Sequence, residues 1–352
     1  MGLKRNDDEQ LARYSRQILF AGVGEAGQRR LLESRVALIG CGALGTVIAD
    51  TLVRAGVGFL RIVDRDYVEL NNLQRQVLFD ERDVAEGMPK AVAAAEKLSR
   101  INSGVIVEPI VADVHAANIE DYCAKSDLIL DGTDNFETRF LINDAAVKSG
   151  TPWIYGACVG ATGMVMPIVP HETPCLRCIW GEPPPPGMNP TCDTAGVLAP
   201  IVHIVTALQC IEAMKILTGN KELLNRRLVQ IDAWTGQFND FDMAGTHETN
   251  ACVCCREGRY EYLTKRGSGR TATLCGRSAV QVSSGSASEV DLPGVAARIA
   301  PVAKGPPQLN RYLLRFDVEE YQITLFRDGR AIIKGTTEPD EARSIYSRYV
   351  GS

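Results

Sequence analysis

Short aliphatic runs alternate with helix-like stretches through the first half of the chain. Five runs have the length and apolar character of buried strands: RVALIG (35–40), FLRIVD (59–64), VIVEPI (105–110), DLILD (127–131) and TPWIYGA (151–157). Three stretches between them have helical character: 43–55, 89–101 and 136–149. Apolar strands that alternate with helices are typical of a parallel sheet covered on both faces. The pattern therefore predicts an α/β fold with a doubly wound, mostly parallel sheet.

The pattern changes after residue 157 and predicts an antiparallel extension of this sheet. Segment 197–219 is mostly apolar but interrupted by polar residues, so it predicts a buried or interface helix rather than a membrane span. Two strand candidates follow it, RLVQIDAW (227–234) and GQFNDFDM (236–243). The loop over 181–191 contains four consecutive prolines, which neither a helix nor a central strand accepts, so we expect an exposed crossover there.

The last part of the chain predicts a small α+β domain. Three strands joined by turns are expected over 310–335, one of the turns being the Asp-Gly of RDGR, and a final helix over 341–350. A strand-like segment at 271–282 precedes a serine-rich stretch. We expect three parts in the chain: an N-terminal helical segment (1–34), a main domain (35–258) and a small C-terminal domain (259–352).

Composition and charge narrow the possible classes. The 352 residues suffice for one large and one small domain. The N-terminus MGLKRNDDEQ lacks the apolar core of a signal peptide, so we expect a soluble, cytoplasmic protein whose eleven cysteines form no disulfides. The net charge of −5 supplies no basic field, which argues against nucleic-acid binding.

A glycine-rich turn joins the first strand to the first helix. Gly40, Gly42 and Gly45 satisfy the pattern G-x-G-x-x-G in this setting. Glycines there let the backbone approach a phosphate, and the helix N-terminus supplies N–H groups and a partial positive charge. Asp64, at the end of the next strand, is placed to accept hydrogen bonds from a ribose. These residues predict an adenine nucleotide, either NAD or ATP, on the carboxyl edge of a Rossmann-like sheet.

Amides and cations follow Asp64 along the chain. Segment 67–79 and the start of the next helix carry Asn72, Gln74, Arg75, Gln76 and Lys90. A single arginine or lysine is usually solvated surface. Arg75 and Lys90, however, both follow strand ends on the edge that holds the glycine turn, where cations would stabilise the charge of a departing pyrophosphate. This arrangement favours ATP over NAD.

Two acids and an amide end the fourth strand, in DLILDGTDN. Asp131 and Asp134 are carboxylates at a strand end, where Mg2+ with its preference for oxygen ligands could bind. The alternative is that Asp134 or Asn135 caps the helix that begins near Phe136. We expect one of the two to cap and Asp134 to meet magnesium.

Two CxxC pairs predict a structural zinc site. Cys175 and Cys178 form the first pair, and Cys252 and Cys255 form the second. Four thiolates in two such pairs are the ligand set of a closed, tetrahedral zinc site. Cys254 is a rival ligand within the second pair, but the CxxC spacing favours Cys255. The metal would join the end of the main domain to its middle.

Taken together, these motifs resemble one known family. They are GCGALG (40–45), DRD (64–66), NNLQRQ (71–76), PK (89–90), DGTDN (131–135), the CxxC pairs and TCDTAGVLAP (191–200). The chain resembles the bacterial MoeB and ThiF proteins, which are relatives of the ubiquitin-activating enzymes. The resemblance extends over about residues 9–258, with the motifs in the order that the family has them.

The resemblance implies ATP- and Mg2+-dependent adenylation of the C-terminal glycine carboxylate of a ubiquitin-like sulfur carrier, with release of pyrophosphate. The residues implied to contact the nucleotide or its phosphates are Gly42, Asp64, Asn71, Asn72, Leu73, Gln74, Arg75, Lys90, Asp134 and Asn135. Arg16, in RYSRQ, is implied to reach the triphosphate in the other subunit of a homodimer. The attacking carboxylate is already ionised at neutral pH, so the reaction requires no general base.

The remaining cysteines divide into a candidate nucleophile and buried thiols. Cys192 matches the position at which relatives carry a cysteine that can bond covalently to the carrier, but the adjacent Asp193 would raise its pKa, so the covalent role stays open. Four cysteines in apolar surroundings are expected to be buried: Cys41, Cys123, Cys158 and Cys210. Cys275 lies in the C-terminal domain, where nothing resembles a rhodanese loop; we favour carrier docking or dimer support there over sulfur relay.

Our interpretation is a homodimeric, zinc-stabilised adenylyltransferase for molybdopterin or thiamine biosynthesis. An NAD-dependent oxidoreductase is the main alternative, but it would leave Arg75, Lys90 and Asp134 without a shared role. A relative that acts on a small molecule or a tRNA base is a second alternative, and the four-thiolate pattern and acidic charge weigh against tRNA. A non-catalytic scaffold that only holds a carrier is a third.

Overall fold

A computed structural model describes residues 11–184, 191–249, 251–264, 271–274, 279–283 and 289–351. The chain within these ranges forms two compact units. Most of the proline-rich loop, Cys275 and most of the serine-rich stretch lie outside the described residues. The expectations for those segments therefore stay predictions.

The first unit is built on an eight-stranded mixed sheet. Its strands are β1 Arg35–Ile39, β2 Phe59–Asp64, β3 Ile106–Val111, β4 Leu128–Asp131, β5 Trp153–Val159, β6 Thr162–Ile168, β7 Leu228–Asp232 and β8 Gln237–Phe241. Their order is β3-β2-β1-β4-β5-β6-β7-β8, with parallel pairing from β3 to β5 and antiparallel pairing from β5 to β8. The predicted α/β sheet with an antiparallel extension is confirmed.

The strand register brings the loops of the nucleotide motifs together. Ile39 at the end of β1 pairs with Val63 of β2 on one side and with Asp131 of β4 on the other. The chain leaves all three strands at the same edge, as parallel strands require. The glycine turn, the acid after β2 and the loop after β4 therefore meet at one place, which is where open α/β sheets bind ligands.

Helices cover both faces of this sheet. Their bounds are α1 Ser15–Ile18, α2 Gly24–Glu33, α3 Ala43–Ala55, α4 Glu81–Ala85, α5 Lys90–Ile101, α6 Ile119–Cys123, α7 Phe136–Ser149, α8 Leu176–Ile179, α9 Cys192–Ala195, α10 Ala199–Thr218, α11 Ala244–Thr249 and α12 Glu261–Thr264. The three helices expected at 43–55, 89–101 and 136–149 are α3, α5 and α7. Short 3-10 turns lie at Leu70–Asn72 and Lys221–Leu223.

The apolar helix α10 belongs to the core of the first unit. By length and composition alone it could cross a membrane, yet 61% of its most apolar window is buried within the protein. It packs against α3 and against β5 and β6. Gly163 of β6 leaves room for this contact, because a Cβ atom there would lie 2.3 Å from Val205 Cγ2. The prediction of a buried helix is confirmed.

The second unit comprises 267–352 together with two short segments, Ala85–Met88 and Asp193–Ala195. Its strands and helices are β9 Thr271–Leu274, β10 Ala279–Val282, α13 Leu292–Ile299, β11 Gln308–Leu309, β12 Leu313–Val318, β13 Tyr321–Phe326, β14 Ala331–Lys334 and α14 Pro339–Tyr349. The six strands form an antiparallel sheet in the order β11-β12-β13-β14-β10-β9. One core joins the sheet to both helices through residues such as Phe316, Ile333 and Ile345.

Candidate functional site

The glycine turn is packed as tightly as its sequence suggests. Gly40 has a φ of +91°, and a Cβ atom there would lie 2.6 Å from the carbonyl oxygen of Gly132. A Cβ atom at Gly45 would lie 2.1 Å from the carbonyl oxygen of Gly40. These two positions exclude any side chain. Gly42 differs, because the nearest atom to its Cβ position is Gln76 Nε2 at 3.9 Å, so the turn is open at this point.

Gln76 lies beside this opening. Its side chain is 3% exposed, and among the described atoms its buried Oε1 has no hydrogen-bond partner. A buried acceptor without a partner costs free energy, which a ligand donor such as a hydroxyl or amino group would recover. Gln76 lies in the segment that the sequence predicts to contact the nucleotide, but the motif assigns it no specific role. Residue spacing alone does not reveal that its side chain is buried or where its amide group lies.

Asp64 orders the glycine turn from the end of β2. One carboxylate oxygen accepts a hydrogen bond from the Cys41 amide at 2.6 Å, and the other accepts one from the Asp66 amide at 2.7 Å. Burial raises the pKa of this carboxyl above its ordinary value, and the charge of Lys90 opposes that rise. The predicted ribose acceptor therefore also holds the two backbone segments that would surround a nucleotide.

Lys90 is buried at the start of α5 and faces the acids that follow β2. It is 3% exposed, and its Nζ lies 3.4 Å from Asp66 Oδ2. Its backbone N–H donates to the carbonyl oxygen of Asp66 at 2.9 Å, and an isolated β-bridge joins the neighbouring Pro89 to Tyr67. The ammonium group is thus fixed at the same sheet edge as the glycine turn.

The segment 71–76 is only partly available to a ligand. Asn72 is buried and caps the 3-10 turn, accepting from the Glu69 amide at 3.1 Å and donating to Asn71 Oδ1 at 3.0 Å. Arg75 is half-buried and donates from Nη1 to the Asn71 carbonyl oxygen at 2.9 Å. Leu73 is half-buried, and Asn71 and Gln74 are exposed. Their contacts with a nucleotide stay predictions, whereas Asn72 has a structural role that the sequence did not suggest.

In the loop after β4, three polar residues of DGTDN have three different roles. Asn135 caps α7, its side chain accepting from the Thr138 amide at 2.8 Å. Asp134 is exposed beside it and remains accessible. Asp131 is fully buried and holds Arg139 through Oδ2 at 2.9 Å, so it is not available to a metal ion. Of the two acids considered for magnesium, only Asp134 lies where a solvated cation can reach it.

Arg139 supports this loop from the first turns of α7. Its Nη2 donates to the carbonyl oxygens of Thr133 at 2.7 Å and Gly156 at 3.0 Å. Burial lowers the pKa of the guanidinium, but the Asp131 carboxylate outweighs burial and raises that pKa above its ordinary value. Gln209 of α10 completes the network by donating to the Asp131 carbonyl oxygen at 3.0 Å.

We expect Arg139→Met to destabilise the protein by about 3–5 kcal/mol, because it leaves the Asp131 carboxylate buried without its cation. Equilibrium unfolding in urea, followed by circular dichroism, measures this loss. The double variant Asp131→Leu/Arg139→Met removes both charges and should recover most of the lost free energy of unfolding. A single variant within 1 kcal/mol of the native protein would contradict this view of the network.

Arg65, the middle residue of the DRD motif, is a further cation near this site. Its Nη1 lies 3.0 Å from Asp113 Oδ1. Burial lowers the pKa of its guanidinium, but Asp66, Asp113 and Asp134 outweigh burial and raise that pKa. Arg65 follows Asp64 directly, so its position at the strand end was the available signal. Arg16, the other predicted cation, is exposed on α1, and its contact with a second subunit stays a prediction.

Cys192 lies against the backbone of β5. Its Sγ is half-buried and donates to the carbonyl oxygen of Cys158 at 3.2 Å. The four cysteines expected to be buried are buried, namely Cys41, Cys123, Cys158 and Cys210. Burial raises the pKa of the Cys158 thiol to about 12, so that thiol is not a nucleophile at neutral pH. Cys192 is the more accessible of this adjacent pair.

The two CxxC pairs converge as predicted. The Sγ atoms of Cys175, Cys178, Cys252 and Cys255 all lie within 4.8 Å of one another, and all four residues are buried. Three of the Sγ–Sγ distances are 3.6 Å, 3.8 Å and 3.4 Å. Tetrahedral zinc with bonds of ~2.3 Å would place its sulfur ligands about 3.8 Å apart. The donor set and its spacing therefore fit a zinc ion.

Cys254 is outside this cluster of four. It is fully buried and accepts a hydrogen bond on Sγ from Asn143 Nδ2 at 3.4 Å. The same asparagine accepts from the Leu176 amide at 2.8 Å, which ties α7 to the first CxxC pair. The choice of Cys255 over Cys254 agrees with the geometry.

Known proteins are similar to this chain over most of its length. The ThiF family profile matches residues 14–255. The sulfur carrier protein ThiS adenylyltransferase of Bacillus subtilis (strain 168) is 44% identical over 339 residues, which is 96% of this chain and 99% of that protein. The SAMP-activating enzyme E1 of Haloferax volcanii is 42% identical over 253 residues, 72% of this chain and 91% of that protein.

A solved structure shares the fold. The crystal structure of Escherichia coli MccB with ATP superposes with a TM-score of 0.61 at 23% identity, covering 72% of this chain and 75% of that one. At this identity the likeness concerns the fold alone.

Proposed function

The chain belongs to the ThiF family, and from this premise we propose that it adenylates the C-terminal glycine carboxylate of a ubiquitin-like sulfur carrier with ATP. The observation that carries the proposal is the similarity, over nearly the whole length of both proteins, to an enzyme named for this reaction. The site supports it, because the glycine turn, the half-buried acids Asp64 and Asp66, and Lys90 lie at one sheet edge. The adenylation domain is placed at 35–258, after the helical segment 1–34.

The carrier is proposed to be ThiS-like, for thiamine biosynthesis. The relative that matches 96% of this chain is named for ThiS, and so is another relative that matches 71% of it. A MoaD-like carrier for molybdopterin is the second candidate, since the tail chemistry is shared.

The chain's own residues provide binding and charge compensation. The carrier carboxylate attacks the α-phosphate of ATP, and pyrophosphate leaves with the bond electrons; no proton transfer is required. Lys90 and Arg75 would offset the negative charge of both reactants. Arg16 of the partner subunit would reach across the homodimer to the same triphosphate and add a third cation. Asp134 would hold Mg2+, which when bound shields the triphosphate charge. Gln76 and Asp64 would accept hydrogen bonds from the nucleoside.

A structural zinc site and one reactive thiol complete the proposal. A zinc ion held by the four clustered cysteines would join α8 to the segment after α11 and stabilise the fold without taking part in the reaction. Cys192 would be able to receive the activated carrier as an acyl thioester, with AMP leaving and the thiol proton released, since its half-buried thiol lies in the family's position for that role. We place the homodimer in the cytoplasm, where thiolate ligands remain reduced.

We propose that the carrier docks on the edge strand β8. Every residue of this strand is exposed, and the aromatic side chains of Trp234 (81%) and Phe238 (65%) are among the most exposed large apolar groups described. Four strand spacings of ~4.8 Å separate β8 from β4, a distance of about 19 Å. An extended tail of about six residues spans that distance. A ubiquitin-like domain at β8 could therefore deliver its terminal glycine to the nucleotide.

Phe238→Ala should raise the KM for the carrier about tenfold, because it removes apolar area that only the carrier covers, and should leave the KM for ATP unchanged. Steady-state pyrophosphate release measures both constants. Ile106→Ala is the matched control, since Ile106 is equally exposed at 65% on β3, the opposite edge of the same sheet. Equal effects from both variants would count against docking at β8.

The function itself is tested by ATP–pyrophosphate exchange with purified carriers that end in Gly-Gly. We expect exchange with a ThiS-like carrier and none when the terminal glycine is deleted, because the shortened tail cannot place its carboxylate at the α-phosphate. The absence of exchange with ThiS-like and MoaD-like carriers, together with tight binding of NAD, would overturn the proposal in favour of an oxidoreductase.

A further inference from the structure

Two polar residues lie fully buried in the middle of α7. Asn143 and Asp144 are 0% exposed, although the positions on either side of them, 140–142 and 145–147, are apolar and belong to the core. Buried polar groups reduce stability unless hydrogen bonds satisfy them. The contacts of these two side chains therefore indicate what they do in the core.

The side-chain amide of Asn143 connects the two CxxC segments. Its Oδ1 accepts a hydrogen bond at 2.8 Å from the amide of Leu176, the residue that follows Cys175. Its Nδ2 donates at 3.4 Å to the Sγ of Cys254, which lies inside the second pair. The two pairs are 77 residues apart in the chain, so one side chain on a third element holds both of them.

Asp144 attaches the chain beyond the second pair to the same helix. Its Oδ2 accepts from the Tyr262 amide at 3.0 Å. The Tyr262 ring packs against Phe140, one turn earlier in α7, with ring centroids 5.1 Å apart. None of these contacts uses a metal ion, so they can hold the cysteine segments together before a metal binds.

We propose that Asn143 is a positioning residue for the zinc site. This inference rests on the proposed zinc ion, whose ligands would be the four clustered cysteines. A metal that must order two separate segments loses binding free energy, and a side chain that orders both segments beforehand removes part of that cost. Asn143 thus raises the affinity for zinc without contacting it, as residues behind metal ligands do by about 10–100-fold.

Asn143→Leu tests the proposal in the full-length protein. Leucine has a similar shape and removes both the donor and the acceptor. We expect the zinc dissociation constant, measured by competition with a chromophoric chelator, to rise about tenfold.

Asn102→Leu is the matched control, because it separates positioning from a general loss of stability. Asn102 is also buried, at 2% exposed, and donates to the Val53 carbonyl oxygen at 2.8 Å and to the Tyr14 hydroxyl at 2.9 Å. These partners lie outside the cysteine segments. Asn102→Leu should lower the thermal midpoint, as Asn143→Leu does, and leave the zinc dissociation constant within about twofold of native.

A second variant keeps the proposal testable if Asn143→Leu does not fold. Cys254→Ala retains all four proposed ligands and removes the acceptor that ties Asn143 to the second pair, so it should still bind one zinc per chain, about threefold to tenfold more weakly. Native zinc affinity in either variant, or equal losses in Asn143→Leu and Asn102→Leu, would overturn the inference. Those results would leave the proposed zinc site in place, whereas a native protein that binds no zinc would overturn the site together with the inference.

Discussion

Lys90→Met should lower the rate of carrier-dependent ATP–pyrophosphate exchange by about 10²–10³-fold, as the loss of one well-placed group that stabilises transition-state charge does. Lys90 is 3% exposed, so its ammonium acts in a site from which water is largely excluded and where its charge is weakly screened. Methionine keeps much of the apolar stem and removes the charge. The loss should appear in kcat as well as in the KM for ATP, because charge on the departing pyrophosphate develops as the reaction proceeds.

The matched control lies on the same helix. Lys97 is in α5 as well, but its Nζ contacts Asp80 at 2.7 Å and also Asp83, away from the glycine turn. Lys97→Met should therefore leave the exchange rate within about twofold of native, apart from any change in stability. Thermal melts of both variants check that each is folded at the assay temperature. A Lys90→Met enzyme as active as the Lys97→Met enzyme would remove Lys90 from the reaction.

Removal of zinc should cause the largest loss of stability. Structural zinc contributes on the order of 10 kcal/mol to small domains, and even half of that corresponds to a fall of roughly 10–20 °C in the thermal midpoint of a domain of this size. The four buried thiols would otherwise have to satisfy one another, and the segment after α11 would lose its attachment to α8. Metal analysis should find about one zinc per chain, and a chelator at elevated temperature should lower the midpoint.

Adjacent cysteines provide the control for the zinc assignment. Cys255→Ser removes a ligand and should lower both the zinc content and the thermal midpoint. Cys254→Ser changes an equally buried neighbour that lies 3.4 Å from Asn143 Nδ2, and it should keep its zinc. If Cys255→Ser retains its zinc and Cys254→Ser loses it, Cys254 is the zinc ligand and Cys255 is the buried neighbour. A native protein that is metal-free and fully folded would refute the site altogether.

Local sequence patterns were sufficient to predict the parallel strands and the glycine turn. The five parallel strands appear as apolar runs because both faces of such a sheet are buried. The turn at Gly40 could be predicted because only glycine tolerates a carbonyl oxygen 2.6 Å from its Cβ position. By contrast, Leu292–Ile299 contains both proline and glycine and resembles a loop, although proline at the first turn is compatible with a helix.

Groups that are distant in the chain account for what the sequence could not predict. Asp131 resembles a metal ligand in DGTDN until its ion pair with Arg139 and its complete burial are seen. Asn143 and Cys254 are 111 residues apart, and no periodicity links them. The cysteine cluster could be predicted although its two pairs are 77 residues apart, because thiolate ligands in CxxC pairs have a chemistry that few other roles share. Hydrogen bonds of ordinary amides have no such signature.

Mass spectrometry of the carrier after a single turnover tests the central claim most directly. A ThiS-like carrier ending in Gly-Gly is mixed with ATP, Mg2+ and excess enzyme, and the products are quenched in acid to preserve an acyl-adenylate. We predict a carrier whose mass has increased by one adenylyl group at the C-terminal glycine, and an adenylated fraction that forms about 10²–10³-fold more slowly when Lys90→Met replaces the native enzyme. An unmodified carrier with the native enzyme, at ATP and carrier concentrations that saturate binding, would contradict the account.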